Sequence, residues 1–270
     1  MSEENVEIVR GIYDAARQRD ADAVLSLYDP SVECDYSRVR WGDPARRGVY
    51  HGHEGLQEVF REWHEAWENY EAGVDEVIDV GDDQVITVGT ARGRGRASGI
   101  EVELRHQAGL WTIRGGKVVR VVWFPTREEA FEAAELAQRE ENVETVHRLA
   151  AAVSRRDLPQ VLELTDPQVE WRPFIAALTE SRHYRGHDGI RQYLSDLDET
   201  FETFRTNIDD LLGVGDVVVG VGHIQYRGKG SGIETEMRVG WVFKLREGKV
   251  LQVRAFREPE KALDQVGPSG

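Results

Sequence analysis

The chain repeats itself, and no other feature limits its folding as strongly. Asn5-Val6-Glu7 returns as Asn142-Val143-Glu144, an offset of 137. At the same offset Arg19-Asp20 returns as Arg156-Asp157, Asp29-Pro30 as Asp166-Pro167 and Val32-Glu33 as Val169-Glu170. Tyr50-His51-Gly52-His53 returns as Tyr184-Arg185-Gly186-His187, and Ser98-Gly99-Ile100-Glu101 as Ser231-Gly232-Ile233-Glu234. The apolar closing segment Gly116 to Phe124 is echoed by Gly248 to Phe256. The offset slips to 132 by the end, so the length differences fall in loops or bulges. The 270 residues suffice for two small cores. The expected division is 1–137 and 138–266, with a disordered tail over 267–270.

Each copy reads as helix, helix, strand, helix, then four strands. In the first, Val6, Val9, Ile12, Tyr13 and Ala16 recur at helical spacing, and Asp20 is placed to cap a second short helix. Asp29-Pro30 ends helical structure, and Ser31 to Tyr36 alternates as a strand, with Val32, Cys34 and Tyr36 on one face. A loop from Ser37 to Gly52 follows. His53 to Tyr70 is patterned as a helix whose stripe is Leu56, Phe60, Trp63 and Trp67. Three strands are expected over Gly73 to Val80, Gln84 to Arg92 and Ile100 to Ile113. In the final strand, alternation puts Val119, Val121 and Trp123 on one face and Val118, Val122 and Phe124 on the other. Arg127 to Asp157 contains neither Gly nor Pro, so the copies are joined by helix, with a break expected near Glu140-Glu141.

Composition excludes several functions. Lys and Arg number 34 against 49 Asp and Glu, a net charge of −15. Such a chain lacks the basic surface on which nucleic-acid and anionic-membrane binding rest. The single Cys34 rules out an intrachain disulfide. No apolar run is long enough to span a bilayer, and the acidic Met-Ser-Glu-Glu-Asn start does not resemble a signal peptide. The expectation is a soluble cytoplasmic protein.

The ordered set of Asn-Val-Glu in a first helix, Arg-Asp before a Leu-rich helix, Asp-Pro-x-Val-Glu, Tyr-x-Gly-x-x-Gly-[Leu/Ile] and a terminal Gly-Lys-Val strand resembles the SnoaL-like branch of the nuclear transport factor 2 superfamily. It occurs twice and covers nearly the whole chain. The resemblance implies an α+β fold of two tandem cone-shaped domains, each a curved, mainly antiparallel sheet wrapping helices around a pocket. It also implies that the two copies pair through their convex sheet faces as an intramolecular pseudo-dimer, leaving the chain monomeric. The superfamily includes cyclases, isomerases, hydrolases, dehydratases and binders, so fold alone does not assign function.

Residues must therefore decide. An isomerase site of the ketosteroid type needs a carboxylate base at the end of the first strand; Cys34 and Trp171 stand there. It needs a first-helix tyrosine; Ile12, beside Tyr13, and Leu149 match. It needs a protonated acid on the penultimate strand; Ala108 and Gly240 lie in that region. An enol intermediate requires both a base and oxyanion donors, so these departures argue against that reaction. Asp35 is next to the base position but on the opposite face unless a bulge intervenes. His106 is the candidate proton handler, since histidine titrates near neutrality. Arg105-His106-Gln107 of the first copy matches only Arg238-Val239 of the second, which predicts a bulge at His106.

The candidate catalytic residues are thus His106 and Asp35. The candidate ligand contacts are Tyr13, Cys34, Tyr36, Phe60, Trp63, Trp67 and Trp123 in the first copy, and Trp171, His223 and Arg238 in the second. Flat aromatic walls suit a small apolar molecule, the expected partner. Arg92, Arg94 and Arg96 are expected to face water. His51, His53, His183 and His187 lack partners at ligand spacing, so no metal is expected, and no cofactor motif is present. The readings that remain are a cofactor-independent cyclase or isomerase acting by general acid/base, a non-catalytic binding or sensing module, and a structural role with filled pockets. The first copy is expected to hold the working pocket.

Overall fold

The computed structural model describes residues 2–39, 48–81, 83–173 and 183–266. The tail from Gly267 and part of the Ser37–Gly52 loop lie outside them, as does the His106 side chain. The chain forms two compact units, Met1–Glu135 and Leu136–Gly270.

The first unit runs α1 (Ser2–Gln18), α2 (Ala21–Ser26), β1 (Tyr28–Asp35), β2 (Val49–His51), α3 (Gly52–Ala66), β3 (Trp67–Gly81), β4 (Gln84–Gly95), β5 (Glu101–Arg114) and β6 (Lys117–Phe124). Helix α4 (Arg127–Arg155) continues without a break at Glu140-Glu141. The second unit repeats the order as α5 (Leu158–Leu164), β7 (Thr165–Arg172), β8 (Tyr184–Arg185), α6 (Gly186–Thr200), β9 (Phe201–Val214), β10 (Val217–Gly228), β11 (Glu234–Arg246), β12 (Lys249–Phe256) and α7 (Pro259–Leu263). Each unit has one six-stranded sheet, ordered β2-β1-β6-β5-β4-β3 and β8-β7-β12-β11-β10-β9. Only β1·β6 and β7·β12 pair parallel; the other neighbours are antiparallel.

The repeated motifs explain themselves locally. Asp20 and Asp157 cap α2 and α5, accepting from Ala23 N at 2.9 Å and Gln160 N at 3.2 Å. The preceding Arg19 and Arg156 both adopt φ near 60° to make the corner. In Tyr-x-Gly-His-x-Gly, Gly52 and Gly186 have φ of 69° and 63°, and a Cβ there would stand 2.9 Å from Pro30 O and 3.0 Å from Pro167 O. His53 and His187 bond the carbonyls of Tyr28 and Thr165 through Nε2, both at 3.1 Å. These histidines therefore fasten a helix to the first strand of their unit. The phenols of Tyr50 and Tyr184 donate to Glu62 at 3.0 Å and to Asp196 at 2.6 Å.

Two further expectations change. The third helix stops at Ala66, so Trp67 begins a strand, paired in register with Gly95. Its buried side is Leu56 and Val59, and Phe60 is 38% exposed. In β6 the step from Thr112 to Ile113 on β5 spans Arg120 to Val118, leaving Val119 as a bulge. Val118 therefore joins Val121 and Trp123 on the inner face, while Val122 and Phe124 pack outward under Ala130 and Ala134 of α4. The second unit repeats this at Leu251.

Candidate functional site

The inner face of the first sheet is built by parity. Val85, Trp111 and Ile113 belong to the inner cluster, so Thr87 and Gly89 on β4, and Gln107 and Gly109 on β5, face the same side. Cys34 of β1 belongs to the same cluster, and Tyr13 of α1 and Tyr36, just past the end of β1, pack against it. Trp123 stacks on Tyr36 with centroids 6.1 Å apart and planes at 18°, and Tyr36 meets Tyr50 edge-on at 5.9 Å. Trp111 touches Trp123 at 5.8 Å and Tyr13 at 5.9 Å. Tyr13, Tyr36, Tyr50 and Trp123 remain only partly buried.

Polar contacts on this face converge on one hydroxyl. Thr87 Oγ1 accepts from Trp111 Nε1 at 2.8 Å and contacts the Tyr13 hydroxyl at 3.3 Å. Burial pushes Tyr13 up to about 12, slightly offset by the Thr87 hydrogen bond. Burial and then the charge of Glu33 push Cys34 up to about 12, and burial raises Tyr28 well above the usual phenol range. All three are neutral at pH 7, so Cys34 is a packed thiol rather than a nucleophile.

The candidates divide accordingly. Tyr13, Cys34, Tyr36 and Trp123 come together on the inner face. Asp35 does not join them: β1 pairs Glu33, Cys34 and Asp35 with Arg120, Val121 and Val122 without a bulge, so Asp35 shares the outer face with Val122. Its carboxylate accepts from Ser37 N at 2.8 Å. The predicted bulge in β5 is present, because Thr90 alone stands opposite Arg105 and His106. Trp63 and Trp67 form a separate aromatic cluster with Tyr70, whose ring lies 4.3 Å from that of Trp63. His223 and Arg238 face each other across β10 and β11 on the outer side, opposite to Trp171 and Trp241, since β11 carries no bulge. His223 pairs with Asp209 at 2.9 Å, and Arg238 is exposed. Ala108 and Gly240 are also outward; a Cβ on Gly240 would stand 2.7 Å from that of Ala262. Arg92, Arg94 and Arg96 are exposed, as expected.

Thr87, Gln107 and Trp111 were not anticipated. The parity of β5, anchored by the apolar Trp111 and Ile113, carries the signal that points Gln107 inward.

In the second unit Trp171 sits on the inner face with Tyr193 at 5.3 Å, against a cavity of about 30 Å³. Leu149, Ala150, Phe204, Trp241 and Phe243 line it too. That volume holds a water or two, whereas a cavity of about 150 Å³ takes up benzene. Burial raises the Tyr193 phenol above its ordinary range, though Arg156 and the nearby Trp171 indole oppose this. The matched residues explain the difference: Ala150 replaces Tyr13, Pro173 replaces Tyr36 and Ala255 replaces Trp123, while Trp171, Tyr193 and Trp241 replace Cys34, Val59 and Gly109.

No group of three His, Cys, Asp or Glu among the described residues is placed to hold a metal. No described helix is long and apolar enough to cross a membrane.

The SnoaL-like domain family matches residues 9–121 and again 146–253. No curated protein matches the chain. Among solved structures, an NTF2-like protein from Burkholderia thailandensis is 30% identical over 48% of this chain and 95% of its own, with a TM-score of 0.40. A protein described as a SnoaL-like polyketide cyclase, from Jannaschia, is 20% identical over 44% of this chain and 86% of its own, at 0.38. A protein with a ketosteroid isomerase-like fold from Catenulispora acidiphila, solved with trimethylamine, is 16% identical over 46% and 92%, at 0.39. With both halves matched by one family, the chain belongs to the SnoaL-like domain family and carries that domain twice.

Proposed function

We propose that the first unit binds a small, flat, apolar molecule and releases it chemically unchanged. The observation that carries this reading is the Trp123–Tyr36 stack, whose rings stay partly open on the inner face. Partly exposed flat aromatic surface suits a flat apolar ligand. The second unit has Ala255 and Pro173 at those positions. The non-catalytic half of the reading rests on charge. A general base works best with a pKa near the working pH, and Tyr13 and Cys34 both lie near 12. The cyclase or isomerase reading rests on His106, beside a bulge found only in the first copy.

The test uses α-tetralone, a flat bicyclic ketone. Calorimetry should show binding that falls at least about tenfold in Trp123→Ala and is unchanged in Trp241→Ala. In D2O the protons next to the ketone should exchange at the background rate. Faster exchange, lost in His106→Ala, would establish the acid–base reading instead. Lack of binding, or loss only in Trp241→Ala, would remove the first-unit assignment.

A further inference from the structure

We infer that the first-unit ligand carries a hydrogen-bond acceptor oxygen, in the simplest case a carbonyl, received by Gln107 together with the Tyr13–Thr87 pair. The inference rests on the binding reading above and adds the ligand's polar group.

It follows from a count of donors. Gln107 is 7% exposed, and its Nε2 has no hydrogen-bond partner. Buried side-chain donors are normally paired, so one left open asks what completes it. Beside it, the Trp111 N–H can only donate, and Thr87 Oγ1 receives it at 2.8 Å. The Tyr13 and Thr87 hydroxyls share one contact, at 3.3 Å. Two hydroxyl hydrogens serve one contact, so whichever way it runs, one hydrogen has no acceptor among the described residues. This inner face therefore has donors in excess.

The geometry lets one oxygen meet both groups. Gln107 stands opposite Gly89 in register, and Thr87 opposite Gly109. Gln107 and Thr87 are thus diagonal neighbours on one face, about 7–8 Å apart at their bases. A glutamine and a hydroxyl at that separation can both reach an oxygen held between them. The set belongs to the first copy: the matched residues of the second are Val239, Gly220 and Ala150, none with a side-chain donor, and the one unpaired buried donor of its described inner face is the Trp171 indole N–H, which lines a cavity of only about 30 Å³. Val239 is fully buried.

The experiment compares α-tetralone with tetralin, the same ring system without the oxygen. Calorimetry on the full chain should show the ketone bound about tenfold more tightly, the scale of one buried hydrogen bond. Gln107→Leu should remove most of that preference while leaving tetralin affinity unchanged. Its melting temperature should hold or rise, because an unpaired amide has left the core; an amide serving the fold would give a fall. Gln107→Met, close in volume, gives the same reading if the leucine variant does not fold. Equal affinities in the unmodified protein, or an undiminished preference in Gln107→Leu, would overturn the inference while leaving the binding reading intact. Failure of both molecules to bind would overturn the two together.

Discussion

The Trp111 indole N–H donates to Thr87 Oγ1 at 2.8 Å across neighbouring strands, and Gly109 makes room for it. A Cβ on Gly109 would stand 2.8 Å from Trp111 Nε1 and 3.1 Å from Thr87 Oγ1. The second copy fills the same layer with Gly220, Trp241 and Phe243, and there Gly220 yields the space, with Leu211 and Phe243 closing over it. The two units thus exchange which position of the layer is small, Gly109 in the first and Gly220 in the second. Only the first keeps a hydroxyl in it.

Thr87→Val keeps the shape and removes the acceptor of the Trp111 N–H. A buried donor left unpaired costs about 1–3 kcal/mol, so urea denaturation should show a loss of that size. In a Trp111→Phe background the same substitution should cost clearly less, because the donor has already gone. Equal costs in both backgrounds would contradict the contact.

Alkaline pH should destabilise the first unit. Cys34 titrates at about 12 in the folded chain against 9.0 unperturbed, and Tyr13 at about 12 against 10.0. Below pH 9 both folded and unfolded chains hold these protons. Above it the unfolded chain releases them first, so stability is lost as pH rises from 9 toward 12. The slope approaches about 1.4 kcal/mol per pH unit for each group. Cys34→Ala should flatten the lower part of the curve. A flat profile in the unmodified protein between pH 9 and 11 would show that the thiol is not held neutral by burial.

Gly52→Ala should be far costlier than Gly116→Ala. Both glycines have positive φ, 69° and 75°, but only at Gly52 would the new Cβ also meet a carbonyl oxygen, at 2.9 Å. Backbone strain alone costs roughly 1 kcal/mol, and the steric contact adds to it. Melting temperatures of the two variants give the comparison, and similar falls would mean that the corner can relax.

Asp35→Asn should leave α-tetralone affinity unchanged within about twofold, since one strand position separates the outer face from the inner. Calorimetry decides; a large loss would place Asp35 in the site.

Much of the fold was legible because its signals are local. Asp20 and Asp157 cap helices through their own side chains, and Gly52 and Gly186 take a conformation that other residues avoid. The bulge at His106 was legible because the second copy lacks one residue there. The end of α3 was not: Ala66-Trp67 offers no Gly, Pro or cap, and Trp67 continues the helical spacing of Leu56 and Trp63. Pairing with β4, a tertiary interaction, overrides it. The bulge at Val119 was hidden because valines flank Arg120 on both sides, so strict alternation and a one-residue bulge both leave valines on each face. Gln107 was not legible as a site residue because an uncharged amide beside His106 carries no titration signal, although Trp111 and Ile113 fix its direction.

The indole N–H signals of the seven tryptophans report directly which copy receives the ligand. In a two-dimensional 15N–1H spectrum assigned by single Trp→Phe variants, α-tetralone should shift the Trp111 and Trp123 signals progressively and leave those of Trp171 and Trp241 in place. Shifts confined to Trp171 and Trp241 would put the ligand in the second unit and contradict the account.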